Sequence, residues 1–262
     1  MNIRLDGRTA LVCGSSKGIG RAIADRFAEM GANLILIARN EDQLLALNNE
    51  YRSKYDGSYY HYAIDLSNWN SLEYAISNHL KFVGNIDIIV NNAGGPESGK
   101  LIDSEITDFQ KAFQSHLFAS QLLVKLISPG MISNQFGRII NIISVSVKQP
   151  IDNLGVSNTL RGAMASWAKT LARELAPSNI TVNSILPGYT DTERLDYLFI
   201  HLADASGTDY NTILQQTIAK IPAGRLAKAE EIASFAGFLA SDFAAYINGT
   251  ATAVDGAYLN TI

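Results

Sequence analysis

The stretch TALVCGSSKGIGRAIADRF, residues 9–27, decides how the chain is read. Its first five residues are a mostly apolar run of strand length, and its last ten place apolar residues at helical spacing. Between them Gly14, Gly18 and Gly20 stand in a G-x-x-x-G-x-G pattern. Glycine permits a tight turn and lets a ligand approach the backbone closely. The helix that follows points its first N–H groups at whatever lies over the turn, and those groups favour negative charge. Strand, glycine turn and helix in that order open a doubly wound α/β domain, with the turn placed to cradle a diphosphate. Gly14, Ser16, Lys17, Gly18, Ile19 and Gly20 are the first candidate cofactor contacts.

The same alternation continues. Strand-length apolar runs occupy 9–13, 33–38, 59–65, 86–91, 137–143, 179–185 and 250–254, and helix-length patterns occupy 18–30, 41–55, 68–82, 105–128, 155–176 and 229–240. Strands rich in Ile, Leu and Val on both faces, separated by helices, indicate a Rossmann-like, mostly parallel sheet of about seven strands with helices on both faces. Residues 1–262 read as a single nucleotide-binding domain. The stretch 187–211 is the longest irregular one, with room for one or two short helices, and 190–220 suits a lid over a substrate site.

Composition narrows the partners. The formal charge is −4 with acids and bases interspersed, so no basic stripe invites nucleic acid or an anionic membrane. Cys13 is the only cysteine, which excludes an intrachain disulfide and a cysteine-rich metal site. The N-terminal apolar run is too short for a signal peptide, and no stretch approaches a membrane span. A cytoplasmic protein with a small-molecule substrate, no metal, no membrane and no nucleic acid is expected.

The second strand ends in Ala38-Arg39-Asn40. An acid at that point would accept the ribose hydroxyls of NAD, whereas Arg39 can pair with a 2′-phosphate, and Lys17 offers a second positive charge beside it. Together they favour NADP(H) over NAD(H). Asp65, at the end of the third strand, is placed for an adenine amino group or, more simply, for starting the helix that follows.

With IVNNAGG (89–95), GRIINIISVS, ITVNSILPGYTDTE and GTATAVDGA, the chain resembles the single-domain short-chain dehydrogenases/reductases from about residue 5 to about 258. Its tone is that of the 3-oxoacyl-acyl-carrier-protein reductase and sugar-alcohol or steroid dehydrogenase branches. The resemblance implies that Asn91, Ala93 and Gly94 support the sheet and meet the adenosine ribose. It also implies that Pro187, Gly188 and Thr192 lie beside the nicotinamide, with Ile185 contacting it through backbone groups. Cys13 stands where the family has threonine. The resemblance further implies a homotetramer or homodimer joined through the helices at 105–128 and 155–176. Phe109, Phe113, Leu117 and Leu122 form a stripe that either serves that contact or faces their own sheet.

The catalytic end departs from the pattern. The family places a serine after the fifth strand, a tyrosine thirteen residues later and a lysine four beyond that; here these positions hold Ser144, Ser157 and Arg161. The usual helical asparagine is His116. Serine is far less acidic than a phenol, and arginine does not relay a proton as an amine does. Both still lie on one helical face, so Arg161 can hold ribose hydroxyls while Ser144 and Ser157 steady an oxyanion. His116 has a fitting intrinsic pKa but a position behind the cofactor. Tyr189 is the phenol nearest the nicotinamide end, with a pocket-lining role as its alternative. Lys148, Tyr197 and Asp152 are weaker proton donors, and Asp152 and Asn153 most simply start the helix.

Three readings follow: an NADP(H)-dependent reductase of a ketone or 3-oxoacyl-like carbonyl with an altered centre; an inactive cofactor-binding homologue with a structural or regulatory role; and a non-redox reaction in the same pocket.

Overall fold

The computed structural model describes residues 3–261. Within them the apolar runs become strands β1 (Thr9–Cys13), β2 (Asn33–Ala38), β3 (Tyr59–Ala63), β4 (Ile88–Asn91), β5 (Gly137–Ile142), β6 (Ile180–Pro187) and β7 (Ala251–Val254). All pair in parallel, in the order β3-β2-β1-β4-β5-β6-β7. Every residue of β5 and β6 is buried, as a central parallel strand covered on both faces requires, whereas the edge strands β3 and β7 are mostly half-buried. The third strand stops at Ala63, short of the expected 65, because Asp65 turns back to bind Ser67.

The helices are α1 (Gly18–Glu29), α2 (Glu41–Lys54), α3 (Trp69–Phe82), α4 (Ile106–Phe113), α5 (Ala119–Ser133), α6 (Gly155–Leu175), α7 (Glu193–Ser206), α8 (Tyr210–Ile218) and α9 (Ala229–Ala240). Successive strand residues point to opposite faces, so the sheet divides its core in two. Ala10, Val12, Leu34 and Leu36 pack with Phe27 of α1, Leu44 of α2 and Ile232 of α9. Leu11, Ile35, Ile37 and Ile89 pack with Leu72 of α3, Leu123 of α5 and Ala168 of α6. A third, smaller cluster joins Ala112, Ile143, Val145, Val156, Leu160, Met164 and Leu186, with Tyr258 and the half-buried Phe109, Phe113 and Leu117 against it. The stripe on the long helix thus packs partly on its own subunit, with Leu122 on the second core.

Two elements differ from expectation. The predicted helix over 105–128 is interrupted by a π-helical turn, Gln114–Phe118, and continues to Ser133 through Pro129. Burial of Leu123, Val124, Ile127 and Met131 carries it that far. The predicted irregular stretch after 187 contains one long helix and the start of another. Leu195, Phe199 and Ala203 bury one stripe of α7, Gly207 ends it at a φ of 65°, and Asp209 caps α8 by accepting from Thr212 N.

The chain leaves the β3 edge and returns to lay β4 beside β1. That reversal opens a crevice at the C-terminal ends of β1 and β4, where doubly wound sheets take their ligands.

Candidate active site

The glycine turn forms one wall of the crevice. Gly14 and Gly18 adopt left-handed φ values of 60° and 57°, and a Cβ on Gly20 would sit 2.0 Å from the Gly14 carbonyl oxygen. No side chain caps α1, whose N-cap is the extended Lys17, so its first N–H groups are left for a ligand. Asn92 stiffens the turn from β4 by donating to the carbonyls of Cys13 (3.2 Å) and Gly14 (3.4 Å). Ser16 and Ile19 flank the turn half-buried, while Ser15 is the serine locked in place, donating to Ile37 O.

Arg39 is exposed just past β2 and lies close enough to Asp65 to help hold that carboxylate below its usual range, behind the larger effect of Ser67. Asp65 Oδ1 accepts from both Ser67 N (2.9 Å) and Oγ (2.7 Å), and Asn68 rather than Asp65 caps α3. Lys17 does not stand free beside Arg39: its ammonium pairs with Glu193 of α7 at 2.6 Å. Asn91 donates to Asn141 Oδ1 at 2.8 Å, which fixes β4 against β5. Ala93 is half-buried and Gly94 exposed beside it.

Residues 187–192 return across the turn. Pro187 ends β6 opposite Val254, and Gly188 runs so close to the next segment that a Cβ would lie 2.8 Å from Asp255 Cα. The Thr192 methyl is 3.4 Å from the Cβ position of Gly18, so this segment and the glycine turn meet. The Ile185 carbonyl is already occupied by Ile143 N, and its side chain belongs to the first core.

At the candidate catalytic end, Ser144 Oγ accepts from Ser146 N at 3.1 Å and starts a short 3-10 turn, Val145–Val147. Ser157 is half-buried on the first turn of α6, and Arg161 is buried one turn later. Arg161 Nη1 donates to Ile142 O at 3.1 Å, tying α6 to the end of β5, while its buried Nε has no partner. His116 lies in the π-turn with Nε2 2.8 Å from Gly94 O. A carbonyl only accepts, so Nε2 carries the proton and Nδ1 does not. Asn91, Ala93, His116, Ile142 and Arg161 line one small cavity. Tyr189 stacks edge-on against Tyr258, with ring centroids 5.2 Å apart, and leans on Phe199 of α7. Lys148 is exposed at the end of the 3-10 turn, and Tyr197 is exposed with its hydroxyl 3.3 Å from Glu97. Asn153 takes a φ of 58°, yet no side chain caps α6; Asn158 instead reaches back to both backbone groups of Ile151.

Burial governs the charges here. It pushes His116 down to about 3, with Arg161 adding to the effect. It also lowers Arg161 to about 10, with Arg194 as the second cause. Burial raises the Tyr189 phenol well above its ordinary value, helped by Tyr258 and Asp152. At neutral pH the site therefore holds a neutral imidazole, a guanidinium and a protonated phenol.

A family model described as enoyl-(acyl carrier protein) reductase matches residues 14–258. The chain is 32% identical to the 3-oxoacyl-[acyl-carrier-protein] reductase of Aquifex aeolicus, over 98% of this chain and 99% of that protein. The chain belongs to the short-chain dehydrogenase/reductase family. It is also similar to the NADPH-dependent reductase BacG of Bacillus subtilis, at 31% identity over 97% of this chain and 99% of that one. The solved L-sorbose reductase of Gluconobacter frateurii, complexed with NADPH and L-sorbose, superposes with a TM-score of 0.94 at 32% identity, covering 100% of both chains. Among the described residues no helix is long and apolar enough to cross a membrane.

For this short-chain dehydrogenase/reductase, sequence reasoning missed Asn92, Arg194, Glu193 and Tyr258. Asn92 lay inside the quoted IVNNAGG run and was legible there as a turn-bracing amide. Arg194 directly follows the TDTE segment, but nothing local shows that it reaches Pro96 O. Tyr258 meets Tyr189 only through the pairing of β6 with β7.

Proposed function

We propose that the chain is an NADP(H)-dependent reductase of small carbonyl compounds, working as a single domain with α7 and α8 as the substrate lid. The observation that carries this reading is the uncapped α1 start behind a turn with no room for a Cβ at Gly14 or Gly20, at the sheet's switch point. The N–H groups of that turn would hold the diphosphate and Arg39 would pair with the 2′-phosphate, and the NADPH complex of the similar L-sorbose reductase supports the same preference. Asp65 keeps Oδ2 for the adenine amino group, because Ser67 occupies only Oδ1.

When bound, the nicotinamide supplies a hydride to the carbonyl carbon. Ser144 and Ser157 donate to the carbonyl oxygen, and Arg161 keeps that region positive while its Nη1 holds α6 against β5. Tyr189 stays protonated through the neutral range and is the phenol that gives up a proton, directly or through water. His116, neutral and bonded to Gly94, positions the loop after β4. A homotetramer or homodimer fits the exposed Ile102, Ile106 and Phe118 along and beside the long helix.

The test is NADPH consumption against a panel of ketones, 3-oxoacyl thioesters and oxo acids. Turnover with at least one carbonyl, reduced about a hundredfold or more by Ser144→Ala, is expected. Tight NADPH binding with no turnover on any carbonyl would favour the inactive homologue, a reading supported by the absence of a neutral-range titrating group at His116, Arg161 or Tyr189.

A further inference from the structure

Two arginines meet in this site with no acid between them. Arg161 is 7% exposed, and beyond its bond to Ile142 O its remaining nitrogens make no hydrogen bond to the described residues. Arg194, in the first turn of α7, donates Nη2 to Pro96 O. Their guanidinium groups converge over Gly95. A Cβ there would lie 3.6 Å from Nε and Nη2 of Arg194 and 4.0 Å from Nη2 of Arg161. Glycine keeps that space clear.

The neighbouring acids are engaged elsewhere. Glu193 pairs with Lys17, Asp196 accepts from Tyr210, and Glu97 accepts from Tyr197. Among the described residues no carboxylate lies within 4.0 Å of either arginine. Like charges held this close in a partly buried site repel, and an anion between them reverses the sign of the interaction. Arginine presents a planar fork that matches a carboxylate edge, and it keeps its charge when buried, where an amine readily loses it.

We propose that Arg161 and Arg194 form a two-guanidinium seat for a carboxylate of the substrate, with the clear space over Gly95 as its floor. The substrate class is an oxo acid, in preference to a neutral ketone, ester or thioester. The assignment of the acid as a substrate rests on the reductase reading; the carboxylate seat does not. Arg161 here is a specificity residue as well as a helix anchor, and Arg194 is its partner from the lid.

The test uses the full chain saturated with NADP+, which cannot reduce a ketone, so that binding is measured without turnover. Calorimetric titration compares 2-oxobutanoate, 3-oxobutanoate and 4-oxopentanoate with their methyl esters. At least one acid is expected to bind tenfold or more tightly than its ester. Arg194→Leu is expected to weaken that acid at least tenfold while changing ester and NADP+ binding less than twofold, and Arg194→Lys to retain part of the preference. Equal binding of acids and esters overturns the seat. So does an Arg194→Leu variant that keeps its acid affinity, or one that loses NADP+ affinity, which would assign the pair to cofactor phosphates. Selective acid binding with no NADPH consumption upholds the seat and removes the reductase reading. Turnover confined to esters or thioesters does the reverse.

Discussion

His116 shows how far burial outweighs the intrinsic chemistry of a side chain. Its imidazole is 4% exposed and titrates near 3, against 6.5 for an unperturbed group. The unfolded chain takes up a proton below about pH 6.5 that the native chain refuses down to about 3, so stability is complete above that window and falls as pH drops through it. His116→Asn is expected to flatten the fall, by up to about 1.4 kcal/mol for each pH unit within the window, as read from melting temperature against pH. A variant that melts in parallel with the parent from pH 7 to 4 would show that the imidazole is protonated in the fold. Sequence alone could not reach this conclusion, because the residue's neutrality comes from burial in the folded chain, reinforced by Arg161, and together these outweigh the Gly94 carbonyl, which favours the protonated ring.

Among the elements, the β1–turn–α1 unit was legible throughout, since its three glycines answer to local backbone geometry. Gly20→Ala is expected to abolish NADPH binding and lower the melting temperature, because its methyl would overlap the Gly14 carbonyl at 2.0 Å. Fluorescence titration of NADPH checks this, and an alanine variant that binds within twofold of the parent would remove the turn from the cofactor site. The strands were equally readable from their apolar runs. The π-turn at Gln114–Phe118 was not, for QSHLF contains no glycine or proline to announce it; packing of α4 on α6 and of α5 on α3 sets it. Helix α7 was half legible: its Leu195, Phe199, Ala203 stripe has helical spacing, but the polar residues between them hid it. Arg194 was missed for the same reason that β6 and β7 bring Tyr258 to Tyr189 unannounced, namely that the partner is set by topology.

Across the whole molecule, the seven strands are gripped by two large apolar clusters, and the end that carries Ser144, Ser157 and Arg161 rests on the third, smaller one. Leu160→Ala, at a fully buried position of that third cluster, is expected to cost about 2–5 kcal/mol. Hydrogen exchange should locate the loss in residues 143–147 and the first turns of α6, with amides of β1 and β2 slowed or quickened only in step with global stability. Uniform acceleration across the sheet would mean that the third cluster is continuous with the others. An end of the sheet with its own foundation has a consequence for descent. Side chains such as Ser157 and Arg161 can be exchanged, and a different chemistry tried, while the β-sheet and its nucleotide crevice continue to fold as before.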